Sequence, residues 1–215
     1  MAITTWATVF HPEFEPGGLS AVVRSATGIL FDDFEADTTG WTAANVDGAA
    51  IASSSAADAL KGEASLQIIP GVNTAALGGD VRREVDRNFF HFVAGRRIRY
   101  ISFRMTSSTA SDSIAVRLSN GAGLVDNAGI YKQWVFALDA SRTREMYIDL
   151  YSGGSGYQNT ESNPGPAALL TANATNGTWD PLVINNISFR GLNASTTYRL
   201  DDIWFYYDYS VMEAL

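Results

Sequence analysis

The stretch YRLDDIWFYY, residues 198–207, places two adjacent carboxylates, Asp201 and Asp202, inside what otherwise reads as an aromatic β-strand. A buried charge is tolerated only when a cation, a hydrogen-bonding partner or water compensates it. Successive residues of a regular strand point to opposite faces. That alternation puts Asp202 with Leu200 and Trp204, and Asp201 with Ile203 and Phe205, so the two side chains cannot both reach one ion while the strand stays regular. Arg199 falls on the Asp201 side as a pairing partner, and Trp204 is expected in the core.

Working outward, the same period of two recurs along the chain. Residues 62–70, 97–107, 113–120, 132–140, 144–152, 182–191 and 197–208 alternate or run apolar, with β-branched and aromatic enrichment. Weaker strands are expected at 28–35, 41–45, 49–54 and 79–86. The segments between them, such as TSSTASDS, NGAGLVDNAG, YSGGSGYQNTESNPGPA and TANATNGTWDP, are rich in turn-forming residues. A helix has room only as a brief turn near SAADALKG. The expectation is an all-β sandwich of two antiparallel sheets spanning residues 28–215.

Residues 1–27 differ. Prolines, a glycine pair and scattered aromatics without long alternation read as an extended N-terminal arm. Trp6, Phe10 and Phe14 are costly to leave in water, so the arm is expected to pack on its own sandwich or on a sister subunit. The opening lacks the basic and apolar regions of a secretory signal. That leads to the expectation of a protein acting where it is made, released by lysis or a dedicated route, or stripped of its signal.

With 215 residues, 46% of them hydrophobic, the chain is long enough for one sizeable core. Fifteen basic residues against twenty-three acidic ones leave a net charge of −8. Such a surface repels phosphate backbones and anionic lipid, which disfavours nucleic acid and membrane partners. Cysteine is absent, excluding disulfides and thiolate metal sites.

ILFDDFEADTTGW, then LKGEASLQI, then YRLDDIWFYY resemble the three motifs of jelly-roll carbohydrate-binding modules: a D/N-x-F-E strand leading to G-W, a G-x-x-S-L strand, and a closing strand with an Asp-Asp pair. The resemblance implies a jelly-roll β-sandwich and a structural Ca2+ joining its first and last strands. Carried over, it implies Glu35, with Asp201 or Asp202, as side-chain ligands, completed by carbonyls near Lys61 and Gly62. Hard oxygen ligands in a flexible shell suit that ion. The alternative is that both carboxylates cap strand ends or pair with arginines. Asp32, Asp33 and Asp37 are further candidate ligands, read first as turn or solvated residues.

No catalytic fingerprint occurs. His91, between Phe90 and Phe92, reads as a half-buried histidine, and Glu84 with Asp86 as a surface ion-pair stripe; an enzyme is not expected. Sugar binding needs an exposed aromatic ring beside polar groups. Aromatics in or beside polar loops are the candidates: Tyr131, Trp134, Tyr151 and Tyr157, with Gln158 and Asn159 as hydrogen-bonding neighbours. Trp41 and Trp179 read as core.

Two functions fit this reading. The first expectation is a decoration or cement protein on a virion (phage capsid) surface, its arm tying it to capsid or sister subunits as a homo-oligomer. The alternative is an extracellular carbohydrate-binding module gripping a polysaccharide glycan through loop aromatics.

Overall fold

The computed structural model describes residues 28–43, 50–54, 56–70, 80–85, 97–110, 112–120, 130–138, 140, 143–151, 156–159, 180–191, 193 and 195–208. The arm with Trp6, Phe10 and Phe14, and also His91 and Trp179, lies outside them, and Tyr157 is described by its backbone alone. Twelve strands run in chain order: β1 (Gly28–Asp32), β2 (Trp41–Ala43), β3 (Ala50–Ser53), β4 (Leu66–Ile69), β5 (Asp80–Glu84), β6 (Arg97–Ser107), β7 (Asp112–Asn120), β8 (Ile130–Leu138), β9 (Arg144–Asp149), β10 (Gly156–Asn159), β11 (Asn186–Gly191) and β12 (Tyr198–Asp208). A short 3-10 turn, Ala56–Asp58, stands where the brief helix was expected.

The strands form two antiparallel sheets. One has seven strands in the order β10-β9-β6-β12-β4-β3, with β1 also paired to β12; the other has five in the order β2-β5-β11-β7-β8. Their inner faces interdigitate. Phe103 of β6 meets Phe189 of β11 and Phe136 of β8 edge-on, at centroid separations of 5.2 and 5.6 Å. Around them pack Leu66, Ile101, Met146, Val116, Trp134 and Phe205, all at most 1% exposed. Burying side chains of this size from both sheets is the main stabilising term.

β12 is the organising strand. Its first half, Tyr198–Leu200, pairs with β4, while Ile203–Tyr206 pair with β1. On its other side it runs against β6 almost throughout. One neighbour therefore replaces another halfway along the strand, and the change falls at Asp201–Asp202.

The two sheets are also tied by a polar staple. Asp32, at the end of β1, accepts a hydrogen bond from the Trp41 indole N–H at 2.8 Å and an ion pair from Arg83, both on the five-stranded sheet. Asp32 makes the turn expected of it, its Oδ1 accepting the Phe34 N–H at 3.0 Å, and its Oδ2 bridges the sheets as well. Asp33 and Asp37 do make local turns, accepting the backbone N–H groups of Glu35 and Thr39.

Candidate functional site

The strand carrying the aspartate pair is not regular. Between Asp201 and Trp204 the register with β6 advances by three residues against two, from Arg104 to Ser102, which is a bulge. Asp202 takes a left-handed backbone at φ 48°. Aspartate tolerates that region better than most residues.

The bulge corrects the alternation read from the sequence. Leu200, Ile203 and Phe205 all face the core, Trp204 turns outward as a half-buried ring, and the two carboxylates come to the same loop. The backbone N–H of Lys61 donates to Asp201 Oδ2 at 3.0 Å, and the Lys61 ammonium donates to Asp202 Oδ2 at 2.8 Å. Ser65 Oγ donates to Asp201 Oδ2 at 2.8 Å, and the Asp202 N–H to Asp201 Oδ1 at 2.7 Å. Arg104 Nε lies 3.4 Å from Asp202 Oδ2. Arg199 pairs with Asp58 at 2.7 Å instead of with Asp201.

Glu35 reaches the same loop. Its carboxylate accepts the Glu63 N–H at 2.9 Å and lies over Gly62, whose φ is +64°. The three predicted acidic residues are thus all placed against residues 61–65. What that loop presents to them is the Lys61 and Glu63 N–H groups, the Lys61 ammonium and the Ser65 hydroxyl, each acting as a donor, whereas a cation needs oxygen acceptors. Among the described residues no group of three acidic or histidine side chains could hold a metal ion. In this arrangement the carboxylates are engaged by protein donors. Burial is the main reason that the Asp201 carboxyl rises from 3.8 to about 6; the Ser65 hydrogen bond opposes it and the Asp202 charge adds to it.

The predicted sugar-binding rings are placed differently from expectation. Trp134 is 1% exposed and belongs to the core, because β8 turns it inward with Phe136 and Leu138. Tyr131 is 6% exposed, with the Arg117 guanidinium 4.6 Å from its ring centre. Tyr151 packs against the core edge under Arg97, 3.8 Å away. Tyr131 and Trp134 are buried and offer no open face to a pyranose, and the half-buried Tyr151 has the Arg97 guanidinium on its ring.

The backbone register sets Tyr157 opposite Tyr147, and so onto a set of residues that reading from loops missed. On the outer face of the seven-stranded sheet, one row across the strands runs Tyr147, Ser102, Trp204, Leu30. The next row holds Asp149, Tyr100, Tyr206 and Gly28. On the other side, Glu145 and Arg104 are directly opposed. Trp204 and Tyr206 stack at 6.3 Å and 19°, and both rings lie over Gly28, where an added Cβ would meet Tyr206 at 2.8 Å and Trp204 at 3.0 Å.

Tyr206, Tyr100 and Tyr147 are buried within this face, while Trp204, Arg104 and Glu145 are half-buried. Burial, followed by the charges of Glu145 and Asp202, pushes the Tyr206 hydroxyl up to about 12; burial and then Glu145 raise that of Tyr147 as well. Both phenols stay protonated as donors at neutral pH. A signal for this face existed in the sequence: in MYIDL, Tyr147 alternates with the core aliphatics Met146, Ile148 and Leu150.

No family model matches the chain, and no curated protein matches it in sequence. Solved structures do resemble it. The family 11 carbohydrate-binding module from Clostridium thermocellum, in complex with a β-1,3-1,4-mixed-linked tetrasaccharide, aligns at TM-score 0.55 and 17% identity, over 83% of this chain and 94% of that one. The family 11 module of the cellulosomal cellulase Lic26A-Cel5E of the same organism aligns at TM-score 0.52 and 16% identity, over 83% and 93%. The agarase AgWH50C aligns at TM-score 0.53 and 16% identity, over 85% of this chain but 24% of the agarase. The chain has the jelly-roll β-sandwich fold of carbohydrate-binding modules.

Proposed function

We propose that this protein is a non-catalytic glycan-binding domain that holds a neutral polysaccharide on the outer face of its seven-stranded sheet. The observation that carries the reading is the Trp204–Tyr206 stack beside the opposed Arg104–Glu145 pair and the Tyr147 hydroxyl. An indole ring supplies the apolar platform for a pyranose face, and the flanking charged and phenolic groups supply donors and acceptors for its hydroxyls. Trp204 takes the stacking role because it is the partly open ring of the set. Opposite charges on one row favour a neutral chain over a polyanion.

The similar structures include a module bound to a mixed-linked glucan and an agarase, which together suggest the first probes. Retention of the protein on gels containing mixed-linked β-glucan or agarose tests the reading, with Trp204→Ala as the comparison. Retention that depends on Trp204 is expected; equal mobility of both proteins in every polysaccharide gel overturns it.

A decoration role on a virion surface is the second reading, favoured by the aromatic arm sequence with Trp6, Phe10 and Phe14. It is separable from glycan binding. Deleting residues 1–27 should abolish self-association and leave retention on polysaccharide intact.

A further inference from the structure

The junction between β1, β12 and the loop ahead of β4 gathers three carboxylates, and the way they are neutralised is specific. Asp201 is 1% and Asp202 6% exposed, so their charges need compensation within the fold. Lys61 contacts both, one through its backbone N–H and the other through its ammonium. It is one of only two lysines in the chain. Arg104 adds a second, longer contact to Asp202 from β6.

We infer that Lys61 is the built-in counter-ion of the aspartate pair, so that its ammonium ties the loop ahead of β4 to β12 in the place where the family resemblance implies a divalent cation. The polarity of the surrounding groups supports this. Asp201 receives three hydrogen-bond donors, Lys61 N–H, Ser65 Oγ–H and Asp202 N–H, and Glu35 is taken by the Glu63 N–H. Such an environment stabilises carboxylates already engaged with protein donors, and an ion entering it would have to displace the ammonium from Asp202. The bulge at Asp202 is what aims the second carboxylate at Lys61, which ties the left-handed backbone there to the charge pair it serves.

Thermal unfolding of the full chain tests the inference. The unaltered protein should melt at the same temperature in EDTA and in millimolar calcium chloride, since a ligand that does not bind the folded state does not stabilise it. Lys61→Met should lower the melting temperature by several degrees, whereas Lys61→Arg, which keeps the charge, should retain most of it. Asp202→Asn isolates the charge pair, because the loss from Lys61→Met should shrink by at least half when Asp202 is already neutral. A rise in the melting temperature of the unaltered protein with calcium overturns the inference. So does a Lys61→Met loss that is undiminished in the Asp202→Asn background.

Discussion

The backbone N–H of Lys61 and the carboxylate of Asp201 meet at 3.0 Å across 140 residues of sequence. β12 exchanges β4 for β1 as its neighbour at this point, and a side-chain acceptor serves the backbone donor left in the gap.

The raised Asp201 carboxyl makes stability pH-dependent. Its pKa is about 6 in the folded protein, above the 3.8 of an unperturbed aspartate. The folded state therefore takes up a proton between pH 6 and 4 that the unfolded chain does not, and the resulting stability is lost as pH rises through 6. Relative to Asp201→Asn, the unaltered protein should gain on the order of 2 kcal/mol between neutral pH and the lower end of that window. Urea unfolding of both proteins at the two pH values measures the difference.

Gly62→Ala should destabilise the sandwich by about 2 kcal/mol or more, because the position has φ +64° and an added Cβ would overlap the Glu35 carboxylate. Combining it with Glu35→Ala should recover the steric part and leave the backbone cost of roughly 1 kcal/mol. Chemical denaturation of the single and double variants separates the two contributions.

Asp32→Ala should cost about 2–3 kcal/mol, since it leaves the Trp41 indole N–H without its acceptor and removes the ion pair to Arg83. Because the staple joins the sheets, the loss should be accompanied by a change in tryptophan fluorescence of the native state. An Asp32→Ala protein with unaltered stability would show that the packing of Trp41 against Phe34 and Phe189 suffices alone.

Trp134 and Trp204 should behave in opposite ways. Trp134→Ala empties a core position and should cost about 3–5 kcal/mol. Trp204→Ala should leave most of the stability in place and, on the proposed glycan-binding role, abolish retention on polysaccharide. Melting temperature and affinity electrophoresis, run on both variants, distinguish a core ring from a binding ring.

Much of the fold was legible because strand period and turn chemistry agree. Residues 97–107 were read at the bounds of β6, where core and outward residues alternate over most of the strand. β10 was missed: GYQN has no apolar alternation and is held as an edge strand by pairing with β9 alone. The convergence of Glu35 with Asp201 and Asp202 on residues 61–65 was legible through the family resemblance. The bulge was not, because it breaks the very period used to assign faces. An Asp-Asp pair within a strand was its only mark.

The outer aromatic face proposed to bind glycan escaped for a related reason. Both sides of β12 are aromatic, and a period of two says which residues share a face without saying which face looks outward. Tyr131, Trp134 and Tyr151 were favoured for their nearness to loops, yet each is covered by packing or by an arginine.

Because Gly28 pairs with Tyr206, the first and last strands of the sandwich lie side by side, and the rings of Trp204 and Tyr206 rest directly on the first strand. The sandwich is in that sense nearly circular, with its seam running under the aromatic platform. A reporter group placed at this seam would sit beside Trp204, the ring proposed to stack on a glycan.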